Sequence, residues 1–192
     1  VMGHTDNTYK CEVDQIITGI DQIGTLDYQR SNSPASIDPR RSKVRFVSEQ
    51  MNLHLDVQFA KHYFREGVWE NELEGIASGT PGASQFLKFS DANFDPVHFF
   101  NARRREIKLS GRREPNKLAL GYDAYIALTE HPDILERVKY TGSTANPAVV
   151  TKQVLAQILQ IEEIAVLEST YNIAEPGQPD DMQFICDSTG AL

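Results

Sequence analysis

The sequence predicts a mixed fold, of the α/β or α+β type, in which short strands alternate with helices. A long stretch with helical periodicity runs from Lys43 to Glu66, and strand-like and helix-like segments alternate from Gln85 to Cys186. The composition is ordinary for a globular protein, because 40% of the 192 residues are apolar and 24% are charged. A chain of this length buries enough surface to form a core without disulfides or metals, so we expect one domain or two small ones.

The N-terminal segment predicts little regular structure. Residues 8–23 combine strand-like alternation with turn residues and indicate a strand followed by a loop. From Leu26 to Arg45 the composition shifts to Ser, Pro, Asn, Asp and Arg, which favours an extended connector without a core of its own. This connector ends in a small basic cluster that is a candidate for contacts with a partner, made up of Arg40, Arg41, Lys43 and Arg45.

The segment from Lys43 to Glu66 predicts a long helix. Its apolar side chains recur at spacings of seven, four, three and four, in Phe46, Leu53, Val57, Ala60 and Phe64. No Pro or Gly interrupts the segment before Gly67. At about 1.5 Å per residue the helix would span roughly 36 Å, a length typical of a strut across a domain.

A polar row and a lone tryptophan complete this region. His54, Gln58, His62 and Glu66 follow one face of the helix at intervals of one turn. The two histidines are two turns apart, too far to share a metal ion, so we expect a solvated or partner-facing row. Trp69 follows the helix and is predicted to be a packing anchor. Because no nucleophile elbow, Cys/His signature or metal-ligand spacing occurs, the sequence predicts no catalytic, metal or cofactor site.

A second well-marked helix begins at Asp95-Pro96. Asp95 can cap the helix through its side chain, and Pro96 fits the first turn, where no N–H partner is needed. We predict that the helix runs to about Leu109 and stops at Gly111, because glycine readily adopts the left-handed conformation that ends helices.

The rest of the chain alternates between strands and short helices. The predicted strands are Gln85–Phe89, after a loop at Gly75–Ser84, then Lys117–Leu120, Ile164–Leu167 and Gln183–Cys186. The predicted helices are Tyr122–Glu130, Ile134–Lys139 and Lys152–Leu159. Asp133 and Thr151 are the expected caps of the last two helices, and His131-Pro132 separates the first two.

Charge is distributed unevenly along the chain. The 19 basic and 27 acidic residues give a net charge of −8, which argues against binding of nucleic acid over the whole surface. Between Asn101 and Lys117, however, the local charge is +5. The candidate basic patch in this segment consists of Arg103, Arg104, Arg105, Lys108, Arg112 and Arg113. Three roles are open for this patch. It could contact the phosphates of nucleic acid, form salt bridges to an acidic neighbouring subunit, or be a solvated face paired with residues of the same chain.

The cysteines, the apolar runs and the chain ends each lead to a prediction about the environment of the protein or its length. Cys11 and Cys186 are far apart, lack CxxC spacing and indicate two buried thiols in a reducing compartment. No apolar run is long enough to span a bilayer and no secretory signal opens the chain, so we expect no membrane partner. The chain starts at Val1 and stops soon after a strand-like run, from which we expect a fragment or trimmed product of a longer protein.

Several motifs then occur in a distinctive order from Lys43 to Leu192. The long helix leads into FREGVWE, and FDPVHFFNARRREI follows at Phe94–Ile107. Next come EPNKLALGYDAYIALTEHPDILERVKYTG, TKQVLAQIL and EEIAVLESTYNIA. In this order the set resembles the spine helix, the Asp-Pro-initiated helix and the axial domain of the major capsid proteins of tailed bacteriophages, the family with the Hong Kong ninety-seven-like fold.

The resemblance implies an α+β phage major capsid protein fold. A spine-helix peripheral domain would occupy residues 1–93 and an α/β axial domain residues 94–192, with the chain a partial subunit. It further implies a structural, non-enzymatic protein that self-assembles into hexamers and pentamers of an icosahedral shell around double-stranded DNA. Expected partners are copies of itself, scaffolding, portal or decoration proteins, and packaged DNA through non-specific contacts. The expected location is the virion capsid of a phage or prophage, after assembly in the cytoplasm of the bacterial host.

Two alternatives stay open at this point. A host-encoded, encapsulin-like nanocompartment shell protein shares the same fold and would also self-assemble. A small α/β ligand-binding or enzymatic domain belongs to a different class of function. Such a compact domain would not need a long helix next to an extended connector, and this feature distinguishes it from a shell protein.

Overall fold

The computed structural model describes residue 11 and residues 13–31, 38–141 and 149–192. The described helices are α1 (Gln22–Arg30), α2 (Pro39–His62), α3 (Pro96–Gly111), α4 (Tyr122–Glu130), α5 (Pro132–Thr141) and α6 (Lys152–Leu159). The described strands are β1 (Glu74–Ile76), β2 (Gln85–Leu87), β3 (Lys117–Gly121), β4 (Glu163–Leu167), β5 (Thr170–Asn172) and β6 (Met182–Phe184). Contacts within the chain divide it into two units, Val1–Leu55 and Asp56–Leu192. The mixture of helices and strands confirms the predicted class.

The predicted extended connector from Leu26 to Arg45 is wrong for residues 26–30, which belong to α1. The reason is Asp21, whose carboxylate accepts hydrogen bonds from the backbone N–H groups of Ile23 and Gly24, both at 3.1 Å, and so caps the helix. Residues 13–21 contain no regular element, so the strand predicted within 8–23 is wrong for this part. Residues 8–10, 12 and 32–37 of the two predicted segments lie outside the described residues.

The predicted long helix is confirmed as α2, but it begins at Pro39 and ends at His62. A side-chain oxygen of Asp38 accepts the Arg40 N–H at 2.9 Å, and Pro39 occupies the first turn. This Asp-Pro start was assigned to the connector, so the predicted boundary at Lys43 is late. The four basic candidates are therefore not connector residues. All of them lie exposed in the first two turns of α2: Arg40, Arg41, Lys43 and Arg45.

The hydrophobic core lies in the unit Asp56–Leu192. Its most deeply buried side chains include Leu120, Leu128, Ile134 and Leu155, each with no exposed area. An aromatic cluster extends this core, with ring centroids 4.8 to 6.3 Å apart, and consists of Phe86, Phe89, Phe94, Phe99 and Phe100. Residues on both sides of the predicted domain boundary at 93/94 thus share one core. The division into peripheral and axial portions stays a prediction.

Strand β3 occupies the centre of this core. On one side it pairs in parallel with β4, and the helices between these two strands form the crossover. On its other side the last residues of the chain run antiparallel to it. Ala119 and Leu192 exchange two backbone hydrogen bonds of 2.6 and 2.8 Å, and the Gly121 N–H donates to the Gly190 carbonyl at 2.8 Å. Backbone hydrogen bonds from β4 and from the C-terminal residues therefore hold β3 in place.

The predicted start of α3 is confirmed, and its predicted end at about Leu109 is two residues early. The Asp95 carboxylate accepts the His98 N–H at 2.9 Å, and Pro96 opens the helix. Gly111 is the last helical residue, however, and Arg112 adopts the left-handed conformation with φ 56°. A side chain with a Cβ thus occupies the position where glycine is preferred.

Helix α5 begins at Pro132, so the predicted capping role of Asp133 is wrong. His131 caps the helix instead: its Nδ1 accepts the Asp133 N–H at 3.3 Å, and its carbonyl accepts the Leu135 N–H at 3.0 Å. Nε2–H of the same ring donates to the Asp91 carbonyl at 3.0 Å. Because a carbonyl can only accept, the ring is the neutral tautomer with its proton on Nε2. This buried histidine is therefore part of the fold.

The other predicted elements are confirmed with small shifts. β3, α4, α6 and β4 match their predicted ranges to within one residue, and Thr151 caps α6 by accepting the Val154 N–H at 3.4 Å. β1 lies at the start of the predicted loop, and β5 was not predicted. β6 ends at Phe184, two residues before Cys186. Both cysteines are free thiols. Cys186 is buried as predicted, which raises its pKa, whereas Cys11 is exposed.

The predicted anchoring role of Trp69 is wrong, because the side chain is 47% exposed. Its indole N–H donates to the Tyr63 carbonyl at 2.8 Å. Glu72 holds the surrounding turn: its carboxylate accepts the N–H groups of Gly67, Val68 and Trp69 at 2.9, 3.0 and 2.9 Å. These hydrogen bonds, with that of Gly67 first, lower the pKa of Glu72 below its ordinary value.

We predict that Gly121→Ala destabilises the fold by roughly 1–3 kcal/mol, measured by urea unfolding. A Cβ at this position would lie 2.4 Å from the Asp187 carbonyl oxygen and equally close to the carbonyl of Ser188, so backbone would have to move. Gly111→Ala is the control, because nothing lies within 4 Å of its Cβ position. We expect the control to be neutral or to stabilise α3 by up to about 1 kcal/mol. Equal unfolding midpoints for both variants would contradict this account of β3.

We predict an acid transition of the turn at Glu72, observed through the fluorescence of Trp69, the single tryptophan. Because the folded pKa is lowered, the contribution of the carboxylate is present above the ordinary pKa of about 4.3 and is lost as pH falls through the lower folded pKa. Glu72→Gln should give the acid-form spectrum at neutral pH and remove the transition. Glu70→Gln, a neighbouring exposed carboxylate, should leave the transition unchanged, and its loss there would refute the assignment to Glu72.

Candidate assembly interface

The six residues of the candidate basic patch lie on the second half of α3 and immediately after it. They do not form one uniform surface. Arg103 and Arg104 are half-buried, whereas the other four are exposed: Arg105, Lys108, Arg112 and Arg113. The reason is the helical repeat, because Phe99 and Phe100 direct one face of α3 into the core and side chains three or four residues later return to that face.

Arg103 and Arg104 are held by the protein itself. The Arg103 guanidinium lies 2.7 Å from the Glu106 carboxylate, and its central carbon lies 5.8 Å from the Phe99 ring centroid. The Arg104 guanidinium donates to the side-chain oxygen of Gln160 at 3.0 Å. Gln160 ends α6, so this bond joins α3 to α6. These two residues serve the fold rather than an open binding surface.

Lys108 is also paired within the chain. Its ammonium group forms an ion pair with Glu114, just beyond the end of α3. Hydrogen bonding and the charge of Lys108 lower the pKa of this carboxyl group. Both side chains are more than half exposed, so the pair contributes little to stability. It does neutralise one of the six basic groups.

Arg105, Arg112 and Arg113 form the outer end of the patch. Among the described residues, none of these three guanidinium groups has a carboxylate partner. Leu109, which follows Arg105 by one turn and so lies on the same face of the helix, is 70% exposed. The outer end of α3 is therefore both basic and apolar. We call Arg105, Leu109, Arg112 and Arg113 the α3 outer surface.

An acidic surface that the sequence analysis did not identify lies on the β5–β6 hairpin. Carboxylates Glu175, Asp180 and Asp181 are exposed at or near its connection. Asn172 shapes this turn: its side-chain NH₂ donates to Asp180 at 2.8 Å, and its oxygen accepts the N–H groups of Ala174 and Asp181, each at 3.0 Å. The signal was available in the sequence, because residues 153–192 contain seven acidic side chains and no Lys, Arg or His.

The same hairpin exposes apolar side chains. Tyr171 and Ile173, which are two residues apart and so lie on one face of the hairpin, are 44% and 43% exposed. We call these two residues, together with Glu175, Asp180 and Asp181, the hairpin surface. A two-stranded hairpin is marginal alone. Here it is attached to the unit through Phe184, whose ring stacks on Tyr122 at 5.4 Å, and through Ser169, whose hydroxyl donates to Asp56 at 2.5 Å.

The four basic residues at the start of α2 form a separate exposed group. Arg45 lies 3.7 Å from Glu49, one turn later, and both side chains are highly exposed. Such a pair is worth only a few tenths of a kcal/mol, roughly. Four basic residues at a helix N-terminus also oppose the helix dipole. They therefore do not stabilise α2, and their role as partner contacts stays a prediction.

The polar row on α2 is divided among different contacts. His54 Nε2 lies 2.9 Å from the Asp14 carboxylate, and His62 Nε2 lies 3.1 Å from the Gln58 side-chain oxygen. Glu66 lies beyond the end of the helix. No cluster of three His, Cys, Asp or Glu side chains able to hold a metal occurs in the described ranges. Their helices also include none with the length and hydropathy needed to cross a membrane.

The comparisons with known proteins place this arrangement among phage proteins. No family model matches the chain. It is 34% identical over 159 residues to a protein named major capsid protein of the Burkholderia phage BcepMu, which covers 83% of this chain and 48% of that protein. A phage-related protein of Bordetella bronchiseptica has a similar fold, with a TM-score of 0.59 and 23% identity over 81% of this chain and 47% of that one.

The chain spans about half the length of both proteins. The match to the capsid protein rests on sequence, whereas the likeness to the Bordetella protein shows a shared fold. The sequence match agrees with the family suggested by the order of motifs from Lys43 to Leu192. The resemblance is therefore confirmed, and over its matched residues this chain is a homologue of a bacteriophage major capsid protein.

Proposed function

We propose that the protein is a structural subunit of an icosahedral phage or prophage capsid, which self-assembles into hexamers and pentamers that enclose double-stranded DNA. The observation that carries this proposal is the 34% identity to a phage major capsid protein over 83% of the chain. That match covers most of the described elements rather than one motif. A shared structural role is the simplest explanation for similarity of this extent.

The exposed apolar surface of α2 supports a role in assembly. No residue of this 24-residue helix is buried, although its apolar side chains recur with helical spacing. Phe46 is 50% exposed, Leu55 59% and Val57 41%. Apolar residues that repeat along one helix normally pack against another surface. Further protein, from the rest of the subunit or from other subunits, would remove these side chains from water.

The proposal also assigns regions and partners. Residues 1–93 would contribute to a peripheral domain with α2 as its spine helix, and residues 94–192 would form the axial domain. The principal partners would be copies of the same protein, with scaffolding, portal or decoration proteins as additional ones. Packaged DNA would be contacted non-specifically, because a net charge of −8 disfavours tight binding. Assembly would take place in the cytoplasm of the bacterial host, and the mature location would be the virion capsid.

The two alternatives are less well supported. An encapsulin-like nanocompartment would share the shell architecture, but the protein matched by sequence is named as a phage capsid protein. A small ligand-binding or enzymatic domain would need an enclosed site of convergent polar groups. The perturbed carboxyl groups in the described residues, Glu72 and Glu114, are instead explained by a structural turn and a surface ion pair.

The test is to express the full-length gene product and to examine it by negative-stain electron microscopy and sedimentation velocity. We expect closed, uniform shells, and particles from phage-producing cells should contain DNA protected from added nuclease. Shells that hold a protein cargo and no DNA would favour the nanocompartment. A monodisperse monomer at high concentration would overturn the shell proposal altogether.

A further inference from the structure

We propose that two copies of the chain associate through different surfaces, with the α3 outer surface of one copy bound to the hairpin surface of the other. This inference rests on the proposed function, because it identifies surfaces through which shell subunits would meet. Both surfaces belong to the unit Asp56–Leu192. The partner is a second copy, and the interaction combines arginine–carboxylate pairs with apolar contact.

The first argument is charge complementarity between two groups that lack ion-pair partners. Arg105, Arg112 and Arg113 are exposed and form no ion pair within the described residues. The hairpin carboxylates Glu175, Asp180 and Asp181 are also exposed and likewise form none there. The three groups on each side are therefore available to the other. Guanidinium and carboxylate groups form short, directional, two-bond pairs, which would also set the register of the contact.

The second argument is that both surfaces carry exposed apolar side chains beside their charges. Leu109 accompanies the arginines, and Tyr171 and Ile173 accompany the carboxylates. Leu109 is 70% exposed and Tyr171 is 44% exposed, each beside charged groups of one sign. Apolar centres with charged rims are typical of protein interfaces.

The third argument is the backbone at Arg112. This residue ends α3 with φ 56°, the left-handed conformation that favours glycine. Glycine at this position would end the helix with less strain. The fold itself therefore does not require arginine here. A partner that binds the guanidinium group provides a reason for arginine at a position where the isolated subunit would be more stable without it.

Because the two surfaces differ, the contact is heterologous, and each copy can engage two neighbours. Such contacts propagate and close into a ring when the rotation between copies permits. The separation of basic and acidic residues along the chain also favours contact between unlike surfaces. Residues 101–117 carry a charge of +5, whereas residues 153–192 carry seven acidic side chains and no basic one. Like surfaces of two copies repel each other, and unlike surfaces attract.

The test uses charge reversal in the full-length protein. Arg105→Glu/Arg113→Glu reverses the α3 outer surface, and Glu175→Arg/Asp181→Arg reverses the hairpin surface without altering Asp180, which Asn172 binds. We expect each double variant to weaken association between copies by about tenfold or more in sedimentation velocity. The quadruple variant, in which both signs are exchanged, should recover association. Mixing the two double variants should also restore it, because each then offers the surface that complements the other.

Two controls separate this effect from misfolding and from net charge. Lys88→Glu/Lys139→Glu changes the net charge as much as the arginine variant does, at exposed positions outside both surfaces, and should associate like the unmodified protein. Arg112→Gly should raise the urea midpoint, because strain is relieved, and yet weaken association. All variants should keep the circular dichroism spectrum of the parent.

The outcomes distinguish the two proposals. Double variants that associate normally, or a quadruple variant no better than the doubles, would overturn the pairing of these surfaces even if shells form. Mixed double variants that associate while the parent forms no closed shell would support the pairing and count against the proposed shell. Increased ionic strength should weaken the association, and an association that ignores salt would contradict the ion pairs.

Discussion

The core of the protein depends on one close approach of backbone to backbone, at Gly121. At this residue β3 ends, α4 begins, and the chain near Ser188 crosses both. The Ser188 carbonyl accepts the Ala124 N–H of the first turn of α4 at 3.0 Å, and its hydroxyl donates to Asp123 at 2.5 Å. Only a residue without a side chain leaves room for these bonds. The two neighbours of β3 and the helix that follows it are consequently held in one arrangement.

The orientation of α3, and hence of its charges, depends on the aromatic cluster. The Asp95-Pro96 start places Phe99 and Phe100 against the aromatic cluster, and this fixes the rotation of the helix. Arg104, on the same side, then meets Gln160 at the end of α6. Arg105 and the residues after Gly111 are left facing outward. Packing of the inner face thus decides which of the basic residues are available to a partner.

The surface of the unit shows the opposite pattern to its interior. Inside, His131 forms hydrogen bonds through both of its ring nitrogens. On the outside, arginines and carboxylates stand apart in separate regions, with exposed apolar side chains beside each of them. An isolated domain would gain by pairing these charges internally and covering the apolar groups. The separation is understandable if the same contacts form between molecules.

The sequence by itself determined the local elements, because caps and periodicity act within a few residues. Asp95, Thr151 and the apolar spacing in α2 each marked a helix that the structure contains, although the start of α2 at Asp38-Pro39 was missed. It also pointed to the capsid family through the order of its motifs. The error at Asp133 arose where a distant partner competes, since the Asp91 carbonyl, forty residues away, positions His131. The error at Trp69 arose where the nearby Glu72 carboxylate orders an exposed turn.

The candidate interface was likewise predictable from the sequence only in part. The distribution of charged residues along the sequence located the basic segment. Only the tertiary structure decided which of its residues bind polar side chains within the described part of the chain: Arg103, Arg104 and Lys108 do. Arg105, Arg112 and Arg113 have no carboxylate partner there. The tertiary structure also brought the acidic carboxylates together on one hairpin, whose strand β5 has no strong pattern of its own. The physical reason is the range of the interactions. Helix caps and side-chain periodicity are local, whereas burial, charge pairing and the close approach at Gly121 join residues far apart along the chain.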